Sequence, residues 1–355
     1  MTALNDPLTF RSGATLKNRF VLSPLTNTQS HADGVLSDEE FRWLTMRAEG
    51  GFALTMTCAA SVQESGQGFP GQLGFHDDKH LPGLTRLASK ITDYGSHAVG
   101  QLQHSGLRSL NGPKGPSADE KLKAGAMTLD EVRVSRDCFI SAAQRAERAG
   151  FDGVELHGAH GYLICSFLSP ELNRREDEYG GSPENRARLL FEIIDGVRAA
   201  TKPGFSLGVR LSPERWGIQL METRDVAQRL MHDGKIDYID MSLWDVTKEP
   251  NEEAFKGRTL ASYFTELDRG DVRLGAAGKI MSAQDARDVL AAGFDFPVIG
   301  RGAILHHDYP KRAAVDPNFT PIATPVSEAY LHEQGLSPVF VTYMRAWKGF
   351  VEEPA

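Results

Sequence analysis

The sequence predicts an α/β protein folded as a single (β/α)8 TIM barrel. Apolar or β-branched segments of strand length recur eight times, and segments with helical periodicity separate them. A chain of 355 residues is long enough for one such barrel, and no linker or repeat marks a second domain. We assign residues 1–355 to one domain, with 1–17 as an N-terminal lead-in and about 310–355 as a C-terminal tail. The predicted strands are residues 18–25, 53–60, 98–104, 153–159, 206–213, 238–243, 272–278 and 296–301.

The helices between these strands are predicted from their caps and their apolar periodicity. Residues 182–200 begin with Ser182 as N-cap and Pro183 in the first helical position. Residues 136–149 and 282–292 have the same periodicity, and a glycine follows each of them. Strands and helices therefore alternate along the chain, as a barrel requires.

Composition and charge exclude several classes of protein. The net charge of -8 provides no concentrated basic surface, so we expect no binding to nucleic acid or to anionic membranes. No apolar run reaches about 18 residues and the N-terminus lacks a signal-peptide pattern, so we expect a cytoplasmic protein. Cys58, Cys138 and Cys165 are far apart without CxxC spacing, which argues against zinc ribbons and disulfides.

Two long connections follow predicted strands and therefore lie at the C-terminal face of the barrel. They are residues 105–130 and residues 244–270. Active sites of such barrels are built from the loops at this face. Both connections are candidate lids over an active site.

A dense polar segment, HGAHGYL, follows the fourth predicted strand. Strand alternation turns His157 towards the barrel interior, and Gly158 and Gly161 let the chain turn so that His160 can converge on the same point. Two neutral imidazoles can donate hydrogen bonds to one substrate oxygen, and the nearby phenol of Tyr162 can deliver a proton. Two alternatives stay open: polar loop residues without a catalytic role, and a metal site using the histidine pair, although no third ligand lies beside it.

Further polar groups are predicted at the same face. Thr26 follows the first strand, Gln101 lies in the third and Arg210 in the fifth. A buried arginine needs an anionic partner, so Arg210 either forms a structural ion pair, with Glu155 as one candidate, or binds a ligand.

Glycines near the ends of the last two strands indicate a phosphate site. Gly275 and Gly278 belong to the seventh strand region, and the sequence GRG at residues 300–302 follows the eighth. Backbone N–H groups at this position commonly hold a phosphate in such barrels. A phosphorylated cofactor is therefore expected.

The segment VELHGAHGYLICSFLSPELNRREDEYGGSPENR, with LKNRFVLSPLT before it and VRLSP and IGRG after it, resembles the Old Yellow Enzyme family. The similarity extends over about residues 4–310. The resemblance implies non-covalent FMN, NAD(P)H as reductant, and reduction of the activated C=C bond of α,β-unsaturated carbonyl or nitro compounds. It makes Tyr162 the proton donor, and His157 and His160 the ligands of the substrate oxygen. The implied FMN-binding residues are Ser23, Pro24, Leu25, Thr26, Ala59, Gln101, Arg210, Gly278, Gly300 and Arg301.

Some positions depart from the family pattern. Leu107 stands where an arginine is common, with Arg108 next to it, and Thr26 stands where many relatives with paired histidines have a cysteine. The tail sequence YMRAW resembles a branch in which an arginine reaches the substrate in the neighbouring active site of a homodimer, and Arg345 would be that residue. The segment 173–181 matches a loop of the family that we interpret as structural.

Several alternatives to alkene reduction stay open at this stage. The same flavin site could run in reverse as a dehydrogenase or demethylase, or bind flavin without turnover. A metal-dependent barrel hydrolase using His157 and His160 is the alternative from another class. The physiological substrate, the choice between NADH and NADPH, and the stereochemical outcome do not follow from the sequence.

Overall fold

The computed structural model describes residues 3–353, and its centre is a closed barrel of eight parallel strands. Each strand pairs with the next along the chain, and the eighth pairs with the first. The predicted (β/α)8 fold is thus confirmed. The strands are β1 (Val21–Leu22), β2 (Leu54–Ser61), β3 (His97–Gln103), β4 (Gly153–Gly158), β5 (Ser206–Leu211), β6 (Tyr238–Ser242), β7 (Arg273–Ala277) and β8 (Phe296–Ile299).

Helices surround the barrel, and their apolar faces pack against the outside of the strands. In chain order they are α1 (Asp38–Glu49), α2 (Leu81–Asp93), α3 (Leu129–Arg148), α4 (Leu163–Leu168), α5 (Pro183–Ala200), α6 (Leu220–Asp233), α7 (Ser262–Thr265), α8 (Ala283–Ala291), α9 (Arg301–Leu305), α10 (Tyr309–Val315), α11 (Glu328–Glu333) and α12 (Pro338–Met344).

The predicted element boundaries hold for α5 and fail for α3 and β1. Ser182 caps α5 as expected. Helix α3 begins seven residues earlier than residue 136, because Thr128 and Glu131 form a capping box that satisfies the first free N–H groups. Strand β1 is shorter than predicted, since the chain turns just before it, where the side chain of Asn18 accepts a hydrogen bond from the N–H of Phe20.

The N-terminal lead-in closes the bottom of the barrel. Two short strands, Leu8–Thr9 and Thr15–Leu16, form an antiparallel hairpin there. Between them Phe10, 2% exposed, stacks on Tyr238 at the start of β6, with 5.2 Å between ring centroids. The lead-in therefore covers the N-terminal ends of the barrel strands.

The C-terminal tail packs beside β1 and returns to the C-terminal face. The ring of Phe340 in α12 contacts Trp43 of α1 edge-on, with centroids 5.4 Å apart. The N–H of Ser337 donates to Gln29, in the segment that follows β1, at 3.0 Å. No helix within residues 3–353 combines the length and the apolar character needed to cross a membrane.

The long connection between β3 and α3 is fastened by the segment 173–181. Arg175 donates hydrogen bonds to the carbonyl oxygens of Met127, at 2.6 Å, and Pro116, at 3.0 Å. Arg174 donates to the carbonyl oxygen of Ala118 at 2.6 Å. The segment 173–181 thus holds a loop of the C-terminal face in place.

Candidate active site

A cavity of about 370 Å³ opens at the C-terminal ends of the strands. Seven of the residues singled out in the sequence line it, namely Ser23, Leu25, His160, Arg210, Gly278, Gly300 and Arg301. Its remaining walls come from residues that sequence reasoning missed, namely Ser242, Trp244, Ala277, Lys279, Ile280, Met281, Val298 and Trp347.

Other sequence-predicted residues lie close by without lining this cavity. Pro24 and Thr26 are half-buried in the segment after β1. Ala59 and Gln101 are register partners across β2 and β3, and both are buried. Tyr162 directly precedes α4 and is half-buried.

The two histidines form a chain of hydrogen bonds. The Nδ1 of His157 accepts from the N–H of Ala159 at 3.3 Å, which leaves the proton of a neutral ring on Nε2. This Nε2 lies 3.3 Å from the Nδ1 of His160, and the Nε2 of His160 lies 2.8 Å from the hydroxyl of Ser242. Burial lowers the pKa of both imidazoles well below its usual range, and the charge of Arg210 lowers it further. Both rings are therefore neutral and each carries one N–H.

The backbone turn between the histidines differs in detail from the expected one. His160 and Gly161 both adopt the left-handed region, with φ of 61° and 72°. Gly158 stays in β4, where an added Cβ would lie 2.8 Å from the carbonyl oxygen of Arg210. Gly158 is thus needed for close strand approach, and the turn is made by Gly161, as expected, together with a non-glycine residue, His160.

The Tyr162 phenol lies against His157. Their ring centroids are 5.0 Å apart, in an edge-on arrangement. Arg108 lies over the Tyr162 ring at 5.7 Å and donates to the carbonyl oxygen of His160 at 3.0 Å. Burial raises the pKa of the phenol, and the Arg108 charge opposes this shift only in part. Tyr162 is therefore protonated at neutral pH and has a proton to give.

Arg210 has a different ion partner from the one that the sequence suggested. Its Nε lies 3.2 Å from Asp240, and it donates to the Ser242 hydroxyl at 3.1 Å. Glu155 instead accepts a hydrogen bond from Gln101 at 2.7 Å. Arg210 lies in β5 between β4 and β6, and the carboxylate on β6 is the nearer one. The candidate pair with Glu155 is therefore wrong.

The phosphate end of the cavity is formed after β7 and β8. Arg301 has no ion pair within residues 3–353, and a Cβ at Gly300 would meet nothing closer than 3.6 Å. At Gly278 a Cβ would lie 2.7 Å from the backbone nitrogen of Asp245, so only glycine allows the two loops to meet. Gly275 has another role, since a Cβ there would lie 2.0 Å from the Phe296 ring. The expectation that Gly275 serves the phosphate site is thus corrected: it makes room for core packing.

Aromatic residues surround His160. Trp216 and Trp244 lie 5.7 Å and 6.2 Å from it, measured between ring centroids. Trp244 is 44% exposed and, with Trp347 from the tail, lines the cavity. Of the missed residues, Ser242, Ala277 and Val298 carried a readable signal, because they lie in the predicted strands β6, β7 and β8, where alternation can place a side chain inward.

Arg345 lies outside this cavity. It forms an ion pair with Glu328 and donates to the carbonyl oxygen of Glu352 at 2.9 Å, both within its own chain. Trp347, two residues further along, lines the cavity instead. A role of Arg345 in a neighbouring active site stays a prediction.

The metal-site alternative lacks a ligand set. Among residues 3–353, no group of three or more His, Cys, Asp or Glu side chains could hold a metal ion. The imidazoles of His157 and His160 bond to each other and to Ser242. The histidine pair is thus arranged for hydrogen bonding.

A closed (β/α)8 barrel with a cavity at the C-terminal ends of its strands, lined by both polar and apolar side chains, defines the class of barrel enzymes that bind their ligand at this face. Residues 3–317 match the profile of the NADH:flavin oxidoreductase / NADH oxidase family. The chain belongs to this family, and the resemblance to Old Yellow Enzymes is confirmed.

Relatives of known name cover most of the chain. It is 37% identical over 333 residues to the probable NADH-dependent flavin oxidoreductase YqiG of Bacillus subtilis, which covers 89% of this chain and 86% of the relative. It is 36% identical over 324 residues to the NADPH dehydrogenase of Bacillus licheniformis, with 88% and 94% covered. It is 32% identical over 341 residues to the NADH:acrylate oxidoreductase of Vibrio harveyi, with 89% of this chain but 33% of the longer relative covered.

Solved structures of Old Yellow Enzymes have the same fold as this chain. The old yellow enzyme homologue from Zymomonas mobilis superposes with a TM-score of 0.80 at 27% identity, covering 96% of this chain and 98% of that chain. The Old Yellow Enzyme from Pichia sp. AKU4542 gives a TM-score of 0.78 at 25% identity, with 93% and 90% covered. The chain is thus an NAD(P)H-dependent flavin oxidoreductase with FMN as its cofactor.

The donor groups of the cavity fit FMN. The Nη atoms of Arg210 make no hydrogen bond within residues 3–353, although the residue lines the cavity. Arg301 likewise has an unpaired charge at the other end, as far as residues 3–353 show. An electron-rich ring edge and a phosphate are the groups that two separated guanidinium ions would hold.

A buried carboxyl group lies under this cavity. Burial raises the pKa of Glu155 to about 8, and the neighbouring Asp240 adds to the shift. One Glu155 oxygen and both Asp240 oxygens are buried without a hydrogen-bond partner, which disfavours the charged form of either carboxyl group. Burial raises the pKa of Asp240 too, but Arg210 lies 3.2 Å away and favours its charged form. We therefore assign the proton to Glu155.

Glu155→Gln should remove a pH dependence of stability. Between its ordinary pKa of 4.5 and its folded pKa of about 8, Glu155 holds a proton that the unfolded chain releases. The free energy of unfolding therefore falls as the pH rises through this window, by up to about 1.4 kcal/mol per pH unit. The amide side chain can still accept the bond from Gln101 and has no proton to lose.

Urea unfolding of both proteins at pH 5, 6, 7 and 8 measures this effect. Glu49→Gln, at an exposed position of α1, is the control and should keep the slope of the unchanged protein. Equal slopes in Glu155→Gln and in the unchanged protein would show that Glu155 is ionised throughout.

Proposed function

We propose that this flavin oxidoreductase reduces the activated C=C bond of α,β-unsaturated carbonyl or nitro compounds. The observation that carries the proposal is a protonated phenol, Tyr162, packed 5.0 Å from the neutral His157 and beside the cavity. When bound, FMN would supply the redox chemistry, which is the transfer of a hydride from NAD(P)H to the substrate β-carbon. The protein then has to hold the substrate oxygen and deliver one proton.

The histidine pair would hold the substrate oxygen. Both imidazoles are neutral and carry N–H groups. The bond between His157 and His160 is long, at 3.3 Å, so an incoming oxygen can compete for the His157 N–H. A hydrogen bond to that oxygen would withdraw electron density from the conjugated C=C bond, and this makes the β-carbon more electrophilic.

Tyr162 would protonate the α-carbon. Its raised pKa keeps the phenol protonated before the reaction, and the nearby Arg108 charge stabilises the phenolate that forms. A general acid of this kind typically contributes a factor of about 10² to 10⁴ in rate. Hydride on one carbon and a proton on the other complete the addition of two hydrogens.

The proposed FMN contacts follow the cavity from end to end. Gly278, Gly300 and Arg301 would hold the phosphate, and Arg210 would face the electron-rich edge of the ring. The other proposed contacts of the ring system are Ser23, Pro24, Leu25, Thr26, Ala59 and Gln101.

The name of one relative supports an activated alkene as substrate. The Vibrio harveyi protein is an NADH:acrylate oxidoreductase, and acrylate is an α,β-unsaturated carboxylate. The same residues would also serve the reverse reaction, desaturation, but no contact in the structure favours that direction. The homodimer and the cytoplasmic location stay predictions.

The stepwise reaction can be followed by flavin absorbance. The purified protein should show a flavin spectrum that bleaches when NADH or NADPH is added without oxygen. Adding 2-cyclohexenone should then restore the spectrum, because the enone accepts the electrons. A spectrum that bleaches and is not restored would exclude enones as substrates.

Tyr162→Phe should slow reoxidation by 2-cyclohexenone about 100-fold or more, since the general acid is lost. Flavin reduction by the nicotinamide should stay within about twofold, because that step needs no proton from Tyr162. Stopped-flow absorbance measures both half-reactions. Tyr94→Phe, on the other side of the barrel at the end of α2, is the matched control. Equal slowing of both half-reactions would contradict the assigned role.

Replacing both histidines by alanine should remove the site for an oxygen ligand. A para-substituted phenol titrated into the unchanged protein should perturb the flavin spectrum. The double variant His157→Ala/His160→Ala should weaken its binding about 100-fold, because the hydrogen bond from the His157 N–H to a charged oxygen is lost together with the His160 ring that positions it. His232→Ala, at an exposed position, serves as the control. Unchanged phenol binding in the double variant would remove the pair from this role.

A further inference from the structure

Two exposed arginines lie at the rim of the active site, Arg108 after β3 and Arg215 after β5. Among residues 3–353, neither guanidinium has a carboxylate oxygen within 4.0 Å. Water hydrates an exposed guanidinium, so the lack of an ion partner does not by itself indicate a ligand. What distinguishes these two arginines is the way in which the fold holds them beside the reacting groups.

Arg108 is fixed beside the proposed proton donor. Its guanidinium lies over the Tyr162 ring at 5.7 Å, and its Nη1 donates to the carbonyl oxygen of His160 at 3.0 Å. Burial lowers the pKa of His160 and raises that of Tyr162, and in each case the Arg108 charge adds a downward contribution. Arg108 therefore places positive charge next to the reacting groups and uses one of its N–H groups to stay there.

Arg215 is held by a strained turn. Arg215, Trp216 and Gly217 all adopt the left-handed region, with φ of 75°, 50° and 69°. Two consecutive non-glycine residues in this region are unfavourable and persist only where the surrounding structure enforces them, which is common at functional sites. The turn places the Arg215 guanidinium 4.2 Å from the centroid of the Trp244 ring, and Trp244 lines the cavity.

The tryptophan of this turn packs on the turn that contains His160. A Cβ at Gly161 would lie 2.6 Å from the Trp216 ring, so only glycine lets the ring lie there. The ring of Trp216 contacts His160 edge-on, with centroids 5.7 Å apart. Arg215 is thus held near the same histidine that Arg108 contacts through its carbonyl oxygen.

The acidic residues next to this rim are already paired. In the loop after β5, Glu214 forms an ion pair with Lys248. In the loop after β6, Asp245 forms one with Lys279 at 2.8 Å. These carboxylates therefore do not compensate the two arginines. Uncompensated positive charge beside a binding site attracts anionic ligands and raises their local concentration.

We propose that Arg108 and Arg215 form a cationic rim that selects substrates carrying a carboxylate in addition to the activating carbonyl group. The inference rests on the proposed alkene reduction: the carbonyl oxygen would bind the histidine pair, and a carboxylate on the other side of the C=C bond would bind the rim. Guanidinium groups hold carboxylates through charged hydrogen bonds. A phosphate of the nicotinamide nucleotide is the other anion that such a rim could hold, and the test separates the two.

Two substrates that differ in charge test the rim in the holoenzyme. At neutral pH (E)-4-oxo-2-pentenoate is an anion, and its methyl ester is uncharged. Arg108→Gln should raise the concentration of the acid that half-saturates flavin reoxidation about tenfold, because a charged hydrogen bond is lost, whereas half-saturation by the ester should stay within about twofold. The reoxidation rate should fall for both compounds, since Arg108 also lies over Tyr162. Arg215→Gln should raise half-saturation by the acid about threefold, because an exposed charge pair contributes less.

Three further variants and ligands complete the test. Arg11→Gln, at an exposed position of the lead-in, makes the same charge change at the other end of the barrel and should change neither value. Arg108→Lys keeps the charge and should recover part of the binding of the acid. Calorimetry with the saturated product 4-oxopentanoate measures the same loss without turnover, and its Kd should rise about tenfold in Arg108→Gln. Arg215→Gln preserves the test if Arg108→Gln does not fold.

Equal changes for the acid and the ester in both glutamine variants would overturn the inference, because only structural contacts would then have been lost. A rise in half-saturation by NADH or NADPH without a selective change for the acid would overturn it too, and would assign the rim to the nucleotide phosphates. Failure of both alkenes to reoxidise the flavin would contradict the proposed function and the inference that rests on it. Normal reoxidation by the ester, without any selective loss of the acid, would contradict the rim alone.

Discussion

The buried guanidinium of Arg210 is the constraint on which the active site depends. Removing a cation from water costs several kcal/mol unless a counter-charge and hydrogen bonds compensate. Asp240, at 3.2 Å, and the Ser242 hydroxyl, at 3.1 Å, provide this compensation from the adjacent strand. Ser242 in turn orients His160, and His160 orients His157, so three neighbouring strands share one chain of polar contacts. The positive charge also helps to keep both imidazoles neutral.

Strand periodicity predicted much of this arrangement, but it did not predict the ion partner of Arg210. His157 and Arg210 are register partners across β4 and β5, and alternation turns both inward. The same rule turns Glu155 and Asp240 inward on the two strands beside β5, so it cannot decide which carboxylate pairs with the arginine. The observed distances decide it, because the Nε of Arg210 lies 3.2 Å from Asp240, whereas Glu155 accepts a hydrogen bond from Gln101. That contact joins β3 to β4 and is not visible in the spacing of residues.

The sequence predicted where the loops of the C-terminal face lie, but it did not predict their conformations. The turn after β4 uses a left-handed histidine, His160, where glycine would be expected. Trp244 comes from a loop and Trp347 from the tail, and no periodicity places either side chain at the cavity. The loop after β3 depends on hydrogen bonds from Arg175 to distant carbonyl groups. Contacts of this kind are set by tertiary structure.

The location of the buried proton bears on how the site accommodates a negative charge. With Asp240 ionised and Glu155 protonated, the groups under the cavity balance the charge of Arg210. The Nε of Arg210 serves these protein contacts, and its Nη donors remain for the ligand. If Glu155 were ionised as well, a second negative charge would repel electron density on the ligand above. With one carboxyl group neutral, the arginine that stabilises the fold below it would also stabilise the reduced, electron-rich cofactor that we propose above it.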